Sequence, residues 1–200
     1  MIEELKDEFY AYNLLRQLFL KEPSREIILA LSDISLKEDR ETDAGLKLMV
    51  FAVKKNKDRL DAWLEELAVE YARLFIGPQN PPAPPYASFY ISRSKILMTD
   101  ETIEVRKKYL EAGMAVKELY SIPDDHAGIE FEFVYYLTQR IIELFGKGQG
   151  EESTMLYEIR NSFIREHMAE WIPVFADKIY ESASGDFYKG LSRLLVSVIQ

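Results

Sequence analysis

Apolar residues recur at three- and four-residue spacing along most of this 200-residue chain. Such spacing places them on one face of an α-helix, whereas a half-buried β-strand needs strict alternation. The first set ends before Pro23 and consists of Phe9, Tyr12, Leu15 and Phe19. Since neither convincing alternation nor an internal repeat is present, the sequence predicts an all-α fold, an irregular bundle of about eight to ten helices.

The starts and stops of these helices follow from capping residues and from proline. Asp58 is expected to cap a helix whose apolar face runs to Phe75. Gly77 and Pro78 should end that helix, because glycine accepts the conformation of a C-terminal cap and proline cannot continue a helix. Pro173 suits the first turn of a later helix. Asp43 should start a helix through Val53, and further helices are expected at about 99–120, 126–145, 151–168, 171–182 and 186–199.

A short segment with four prolines lies between two aromatic-rich stretches. The prolines of residues 79–86 are Pro81, Pro82, Pro84 and Pro85, and the aromatic residues around them are Tyr71, Phe75, Tyr86, Phe89 and Tyr90. Each proline ring fixes φ, so the segment should be extended and stiff, an ordered loop packed on the protein. Half-exposed tyrosines beside a stiff loop suit peptide recognition, but plain packing in a core explains the same residues equally well.

Composition excludes several classes of function. The chain has no cysteine, which excludes disulfides, thiolate metal sites and cysteine nucleophiles. A formal net charge of −9 argues against nucleic acid as a partner and permits a basic partner. The longest apolar runs, such as residues 48–53, are far too short to span a bilayer, and residues 1–6 lack the features of a secretory signal peptide. We therefore expect a cytoplasmic protein without stable membrane insertion.

Two histidines limit the metal and nucleotide chemistry that the chain can support. His126 and His167 lie on different expected helices and lack HExxH spacing, so neither a metal site nor another cofactor is expected. The glycine-rich residues 146–150 lack the GxxxxGK[ST] arrangement that holds phosphates. A nucleotide-binding switch therefore has no visible phosphate loop, and the glycines read as a helix stop and a turn.

The sharpest local feature is Pro123-Asp124-Asp125-His126, followed by Glu130. A helix that opens here has free backbone N–H groups, which a carboxylate can cap. In the structural interpretation, Asp124 or Asp125 caps the helix and His126 hydrogen-bonds to Glu130. In the alternative, Asp125, His126 and Glu130 serve a small hydrolase or metal enzyme, which needs a nucleophile or a metal that the sequence does not provide.

Three sequence elements occur in a fixed order across this region. They are Glu70–Pro78 (EYARLFIGP), Pro85–Tyr90 (PYASFY) and Pro123–His126 (PDDH), the last followed by Glu130 and Phe133. Together they resemble the TorD/DmsD/NarJ family of redox-enzyme maturation chaperones. The TorD/DmsD branch fits better, because its proline-tyrosine-serine loop and its P-x-D-H element are both well formed. The resemblance extends to a later His-Trp-Pro-Phe stretch, represented by His167, Trp171, Pro173 and Phe175.

The resemblance implies a fold, a function and a set of partners. Residues 1–200 would form one TorD-like helical chaperone domain, with two lobes, 1–121 and 124–200, joined at the Pro123–His126 break. The chain would be a cytoplasmic chaperone and not an enzyme. It would bind the twin-arginine signal peptide or precursor of a molybdopterin-containing oxidoreductase, and assist maturation and cofactor insertion before export or assembly. A hinge at the break would allow a monomer or a domain-swapped homodimer.

The resemblance also implies a peptide-binding site. The matching positions are Tyr71, Leu74, Phe75, Tyr86, Ser88, Tyr90, Pro123, Asp125 and His126, to which the neighbouring acids Asp124 and Glu130 are added. Tyr71, Tyr86 and Tyr90 stand where some relatives carry tryptophan, so the client peptide would differ.

The expected division of labour within this site follows from magnitudes. Each buried CH₂ contributes roughly 0.8 kcal/mol, while an exposed ion pair contributes about 0.2–1 kcal/mol. We therefore expect the apolar part of the peptide to dock against Tyr71, Leu74 and Phe75. The carboxylates of Asp124, Asp125 and Glu130 would orient its basic end.

Overall fold

The chain is described by a computed structural model for residues 2–34, 44–78, 80–92, 100–115 and 122–200. Within these residues the α-helices are α1 (Ile2–Leu20), α2 (Arg25–Ser32), α3 (Ala44–Lys55), α4 (Leu60–Tyr71), α5 (Ala87–Ile91), α6 (Asp100–Glu111), α7 (Ala127–Gly146), α8 (Gly150–Phe163), α9 (Ala169–Ser182) and α10 (Asp186–Ser197). The described residues contain no β-strand, and their only bridge joins Tyr86 to His126. The predicted all-α fold is confirmed.

The chain forms two compact units that interleave along the sequence. The first unit comprises residues 1–20, 85–171 and 199, and the second comprises residues 21–84, 172–198 and 200. Inside the first unit α1 packs against α7, and inside the second α3 packs against α10. The expected lobes, 1–121 and 124–200, do not coincide with these units, because each unit pairs helices that are far apart in sequence.

The core of the first unit forms where α1 crosses the start of α7. The ring of Phe131 stacks on those of Tyr12 and Phe19, each with a centroid separation of 6.3 Å. Gly128 is required in the first turn of α7, since a Cβ there would lie 2.7 Å from Cγ of Leu20. Of the apolar face that the sequence predicts for the first helix, Tyr12, Leu15 and Phe19 are buried, whereas Phe9 is half-buried.

The core of the second unit depends on a close crossing of α3 and α10. A Cβ on Gly190 would lie 2.7 Å from the carbonyl oxygen of Gly45 and 2.9 Å from the amide nitrogen of Met49. The hydroxyl of Tyr188 donates to the carbonyl of Leu67 at 2.8 Å, which ties α10 to α4. Since backbone atoms meet at this crossing, no side chain fits at Gly190.

Several helix boundaries differ from the sequence predictions. Asp58 lies in a 3₁₀ turn, Lys57–Arg59, and does not cap α4, which begins only at Leu60. α6 ends at Glu111 rather than near Tyr120, and Gly113 follows with φ at 74°. α2 was not predicted; Ser24 caps it by accepting from the amide of Ile27 at 3.3 Å. The expected start at Asp43 falls outside the described residues.

Two α-helices continue into π-helical turns, and the sequence prediction is confirmed at the first turn and wrong at the second. After α4, the turn Ala72–Ile76 ends at Gly77, whose φ is 55°, so the predicted stop is confirmed. After α8, the turn Ile164–Met168 leads directly into α9, so the expected break before Trp171 is absent. Pro173 therefore lies inside α9, just after a turn that changes the hydrogen-bonding register of the helix.

None of the helices in the described ranges is both long enough and apolar enough to cross a membrane.

Gly190→Ala is expected to destabilise the protein. Alanine normally favours a helix by about 1 kcal/mol over glycine, but here its Cβ would meet backbone atoms of α3, and overpacking costs about 1–3 kcal/mol. Gly146→Ala is the matched control, because nothing lies within 4 Å of a Cβ there. Urea unfolding of both variants tests this expectation. Equal stability of the two would contradict the close crossing.

Candidate functional site

Two of the three sequence elements that carry the resemblance are joined in the first unit. The amide of Ala87 donates to the carbonyl of Asp125 at 2.9 Å, and the amide of Ala127 donates to the carbonyl of Pro85 at 2.8 Å. These hydrogen bonds flank the antiparallel bridge between Tyr86 and His126. The chain after the prolines is therefore ordered and held against the start of α7.

The Asp125 side chain holds α5 and α6, not the start of α7. It is fully buried, and its Oδ2 accepts from the amide of Ser88 at 2.8 Å. Its Oδ1 accepts from the hydroxyl of Thr102 at 3.0 Å. Because Ser88 lies in the first turn of α5, the carboxylate caps that helix from a distant part of the chain. The expectation that Asp125 caps its own helix is wrong.

Asp124 is held by two other residues of α6. Nε and Nη2 of Arg106 both donate to Oδ2 of Asp124, the first at 2.8 Å. The hydroxyl of Tyr109 donates to the backbone carbonyl of Asp124 at 2.8 Å. Thr102, Arg106 and Tyr109 follow one another at helical spacing on α6, which is the sequence signal that could have identified them.

His126 caps α7, a role that the sequence analysis gave to an aspartate. Its Nδ1 accepts from the amide of Gly128 at 3.0 Å, and its ring lies 5.1 Å from that of Tyr86. Burial lowers the pKa of His126 to about 4, although Asp125 opposes this. An acceptor nitrogen needs the neutral ring, so the cap and the lowered pKa agree. The expected side-chain hydrogen bond to Glu130 is not the one formed.

Glu130 pairs with the second histidine. It is fully buried, with Oε1 2.7 Å from Nε2 of His167, while Oε2 accepts from the indole of Trp171 at 3.1 Å. Burial raises the pKa of Glu130, and His167 opposes that. Burial also disfavours a charged His167, but the attraction and the hydrogen bond of Glu130 raise its pKa overall.

The catalytic alternative does not fit this arrangement. Asp125, His126 and Glu130 each have different partners and form no acid–base relay. Among the residues that the structure describes, no group of three or more His, Asp or Glu side chains could hold a metal ion.

The remaining predicted residues of the first unit surround this polar cluster. Tyr86 is half-buried, and burial raises the pKa of its hydroxyl. Tyr90 stacks on Trp171 with ring centroids 5.7 Å apart. Ser88 is fully buried, and its hydroxyl has no hydrogen-bond partner among the described residues. Pro123 is half-buried. These residues support the segment before α7 more than they form an open surface.

The aromatic helix end belongs to the core of the second unit. Tyr71, Leu74 and Phe75 are only 7%, 0% and 4% exposed. The ring of Phe75 packs against those of Phe175 and Tyr188 at 6.1 and 5.9 Å. These three side chains are therefore not available for direct contact with a peptide in this conformation.

The exposed surface beside that helix end is a cleft that the sequence analysis missed. It has a volume of about 590 Å³ and is lined by Ala72, Arg73, Ile76, Gly77, Pro78, Asn80, Pro81 and Pro82. Ile76 is 63% exposed. The amide of Ala83 donates to the carbonyl of Leu74 at 3.0 Å, which fixes the proline segment beside the π-helical turn. We call this surface the proline cleft.

Comparisons with known proteins agree on one family. The model of the family described as "Nitrate reductase delta subunit" matches residues 37–177. Chaperone protein TorD of Vibrio parahaemolyticus serotype O3:K6 is 31% identical over 162 residues, covering 81% of this chain and 74% of its own. TorD of Vibrio cholerae serotype O1 (strain M66-2) is 26% identical over 211 residues, covering 100% of this chain and 91% of its own.

A solved structure has the same fold. It is described as a putative redox enzyme maturation protein from Archaeoglobus fulgidus, and it superimposes with a TM-score of 0.58. The identity is 20%, and the match covers 98% of this chain and 92% of the other.

The free energy of unfolding should fall as the solution is acidified from pH 6.5 towards 4. In this range His126 binds a proton in the unfolded chain but stays largely neutral in the folded protein, where its imidazole caps α7. The difference between the pKa values of the unfolded and folded states corresponds to a loss of about 3 kcal/mol in the free energy of unfolding across this range. His126→Asn keeps a capping acceptor and does not titrate, so its stability should depend less on pH. Denaturant unfolding at several pH values tests this, and parallel pH profiles for both proteins would contradict it.

His167→Ala should destabilise the protein by about 3–5 kcal/mol, because it leaves the Glu130 carboxylate buried without its charged partner. The double variant His167→Ala, Glu130→Gln removes that charge and should recover part of the loss. A double-mutant cycle from thermal unfolding measures the recovery. A double variant less stable than His167→Ala would show that the pair is not ionic.

Proposed function

Because this chain belongs to the nitrate reductase delta subunit family, we propose that it binds the twin-arginine signal peptide of a molybdopterin-containing oxidoreductase precursor in the cytoplasm and holds that precursor until its cofactor is inserted. Its relatives named TorD are chaperones, so the predicted class, a redox-enzyme maturation chaperone and not an enzyme, is confirmed. The signal peptide, the cofactor step and the location are our proposal.

The observation that carries the proposal is the proline cleft. The apolar middle of a signal peptide needs an exposed apolar surface, and a cleft of about 590 Å³ lies within the usual size of a ligand site. Proline rings and a helix end form rigid sides, so little conformational freedom is lost when a peptide binds. Tyr71, Leu74 and Phe75 support this surface from the core beneath it.

The acidic residues of the first unit are less available to orient a basic peptide end than the sequence analysis expected. Asp125 and Glu130 are fully buried and already hydrogen-bonded within the protein. They shape the segment before α7 and do not present a diffuse acidic surface. The net charge of −9 speeds the encounter with a basic peptide without adding much affinity.

Ile76→Asp should weaken the binding of a synthetic signal peptide at least about tenfold, since burying an isoleucine side chain contributes about 1.5–3 kcal/mol. Met155→Asp is the matched control, because Met155 is 67% exposed and lies on α8 of the other unit. Isothermal titration calorimetry measures both affinities. Phe75→Ala is unsuited to this purpose, because truncating a buried phenylalanine costs about 3–5 kcal/mol of stability.

Equal affinities for the two aspartate variants would place the apolar docking surface outside the proline cleft. Affinity capture from the native cell tests the client. A molybdoenzyme catalytic subunit should co-purify with the unmodified chain and be depleted with Ile76→Asp. Recovery of other proteins alone would contradict the proposed function.

A further inference from the structure

The outer face of α3 is basic, although the net charge of the chain is −9. Residues 44–57 contain four lysines and neither aspartate nor glutamate. All four are exposed, and they are Lys47, Lys54, Lys55 and Lys57. None of them forms an ion pair or a side-chain hydrogen bond with a described residue. Their charges are therefore available to a partner.

An exposed phenylalanine lies at the centre of this surface. Phe51 is 59% exposed. Lys47 precedes it by one helical turn, while Lys54 and Lys55 follow it by one turn, so these side chains share one face of the helix. The opposite face of α3 is buried against α10 in the core of the second unit. The ring thus remains in water while α3 stays packed. We call Phe51 and the four lysines the lysine face.

The residue types of the lysine face favour a flat anionic surface as its partner. Arginine pairs with single carboxylates in a fixed geometry, whereas lysine carries a compact charge on a flexible stem and adapts to a diffuse array of anions. Protein interfaces are depleted in lysine for this reason among others. A small ligand needs a concave site, whereas the lysine face is the outer side of one helix.

The acidic net charge of the chain does not prevent such a contact. Salt screens exposed charges over about 8 Å at physiological ionic strength, so more distant carboxylates act only weakly on the lysine face. The first acidic residue after the lysines is Asp58. On the helix that follows, Asp61 and Glu66 are already paired with Arg25 and Arg59. The local potential at α3 is therefore set mainly by its own lysines.

We propose that the lysine face is a peripheral contact site for a lipid bilayer that carries anionic headgroups. The four ammonium groups lie among the headgroup phosphates, and the ring of Phe51 enters the boundary between headgroups and acyl chains. Each lysine near such a surface raises the partition of the protein by about fivefold. Contact through a few side chains is reversible and inserts no helix. It does not use the proline cleft, so the inference is independent of the proposed function.

Vesicle sedimentation with the full chain tests this contact. The vesicles consist of phosphatidylcholine alone, or of phosphatidylcholine and phosphatidylglycerol in equal parts. The natural chain should sediment with the anionic vesicles and stay in solution with phosphatidylcholine. Added salt should lower the bound fraction steeply, because it screens exposed charges. Absence of binding to the anionic vesicles, or equal binding to both kinds, overturns the proposal.

The double variant Lys54→Gln, Lys55→Gln locates the contact on α3. It should lower the partition onto anionic vesicles at least about tenfold. Lys107→Gln, Lys147→Gln is the matched control, because these two lysines are exposed, lie in the other unit and change the net charge equally. The control should retain most of the natural binding. Equal losses in the two double variants would show a general effect of charge and overturn the proposal.

Phe51→Ser separates the ring from the charges. It should weaken vesicle binding severalfold and leave the salt dependence unchanged, whereas unchanged binding overturns the role of the ring. All substituted side chains are exposed, so the Tm of each variant should stay near that of the natural chain. A glutamate-rich peptide and a DNA oligonucleotide serve as soluble polyanions. If either one displaces the natural chain from the vesicles at equal charge concentration, the lysine face belongs to a soluble acidic partner and the bilayer proposal fails.

Discussion

The Asp125 carboxylate is the interaction on which the first unit depends. Its two oxygens accept from Ser88 in α5 and from Thr102 in α6, while its own backbone precedes α7. Charge-assisted hydrogen bonds of this kind are stronger than neutral ones, and a buried carboxylate that loses a donor is costly. One side chain thus fixes the relative positions of three helices. The cap made by His126 and the ion pair of Asp124 both rely on that arrangement.

This dependence changes the meaning of the sequence element that contains these residues. By resemblance, PDDH belongs to a peptide-binding surface. In the structure, Asp125, His126 and Glu130 are turned into the protein and have partners there. Residues that look like binding residues can be essential because they shape a segment. The partners differ in exposure: the side chain of Arg106, which pairs with Asp124, is 32% exposed, and that of His167, which pairs with Glu130, is 11% exposed.

The parts that could be predicted from sequence are those set by local rules. The stop at Gly77 needs only a glycine and a proline, and the face of α1 needs only its spacing. Asp58 and Pro173 misled the prediction because a 3₁₀ turn and a π-helical turn altered the register of the helices around them. The partners of Asp125 are residues 88 and 102, which lie far from it along the chain. No local pattern indicates such contacts.

The sequence pattern also fails to assign the roles of Leu74, Phe75 and Ile76, and here the assignment matters for function. They are consecutive and apolar, so periodicity alone cannot say which of them faces water. The π-helical turn that contains them closes with a hydrogen bond from Gly77 to Ala72 at 2.6 Å, and such turns are frequent at functional sites. As a result, Leu74 and Phe75 are buried in the core of the second unit, whereas Ile76 is 63% exposed beside the prolines. Rigid neighbours hold this apolar side chain in contact with water. Binding of another chain there removes apolar surface from water and restricts few flexible groups, and both effects favour binding.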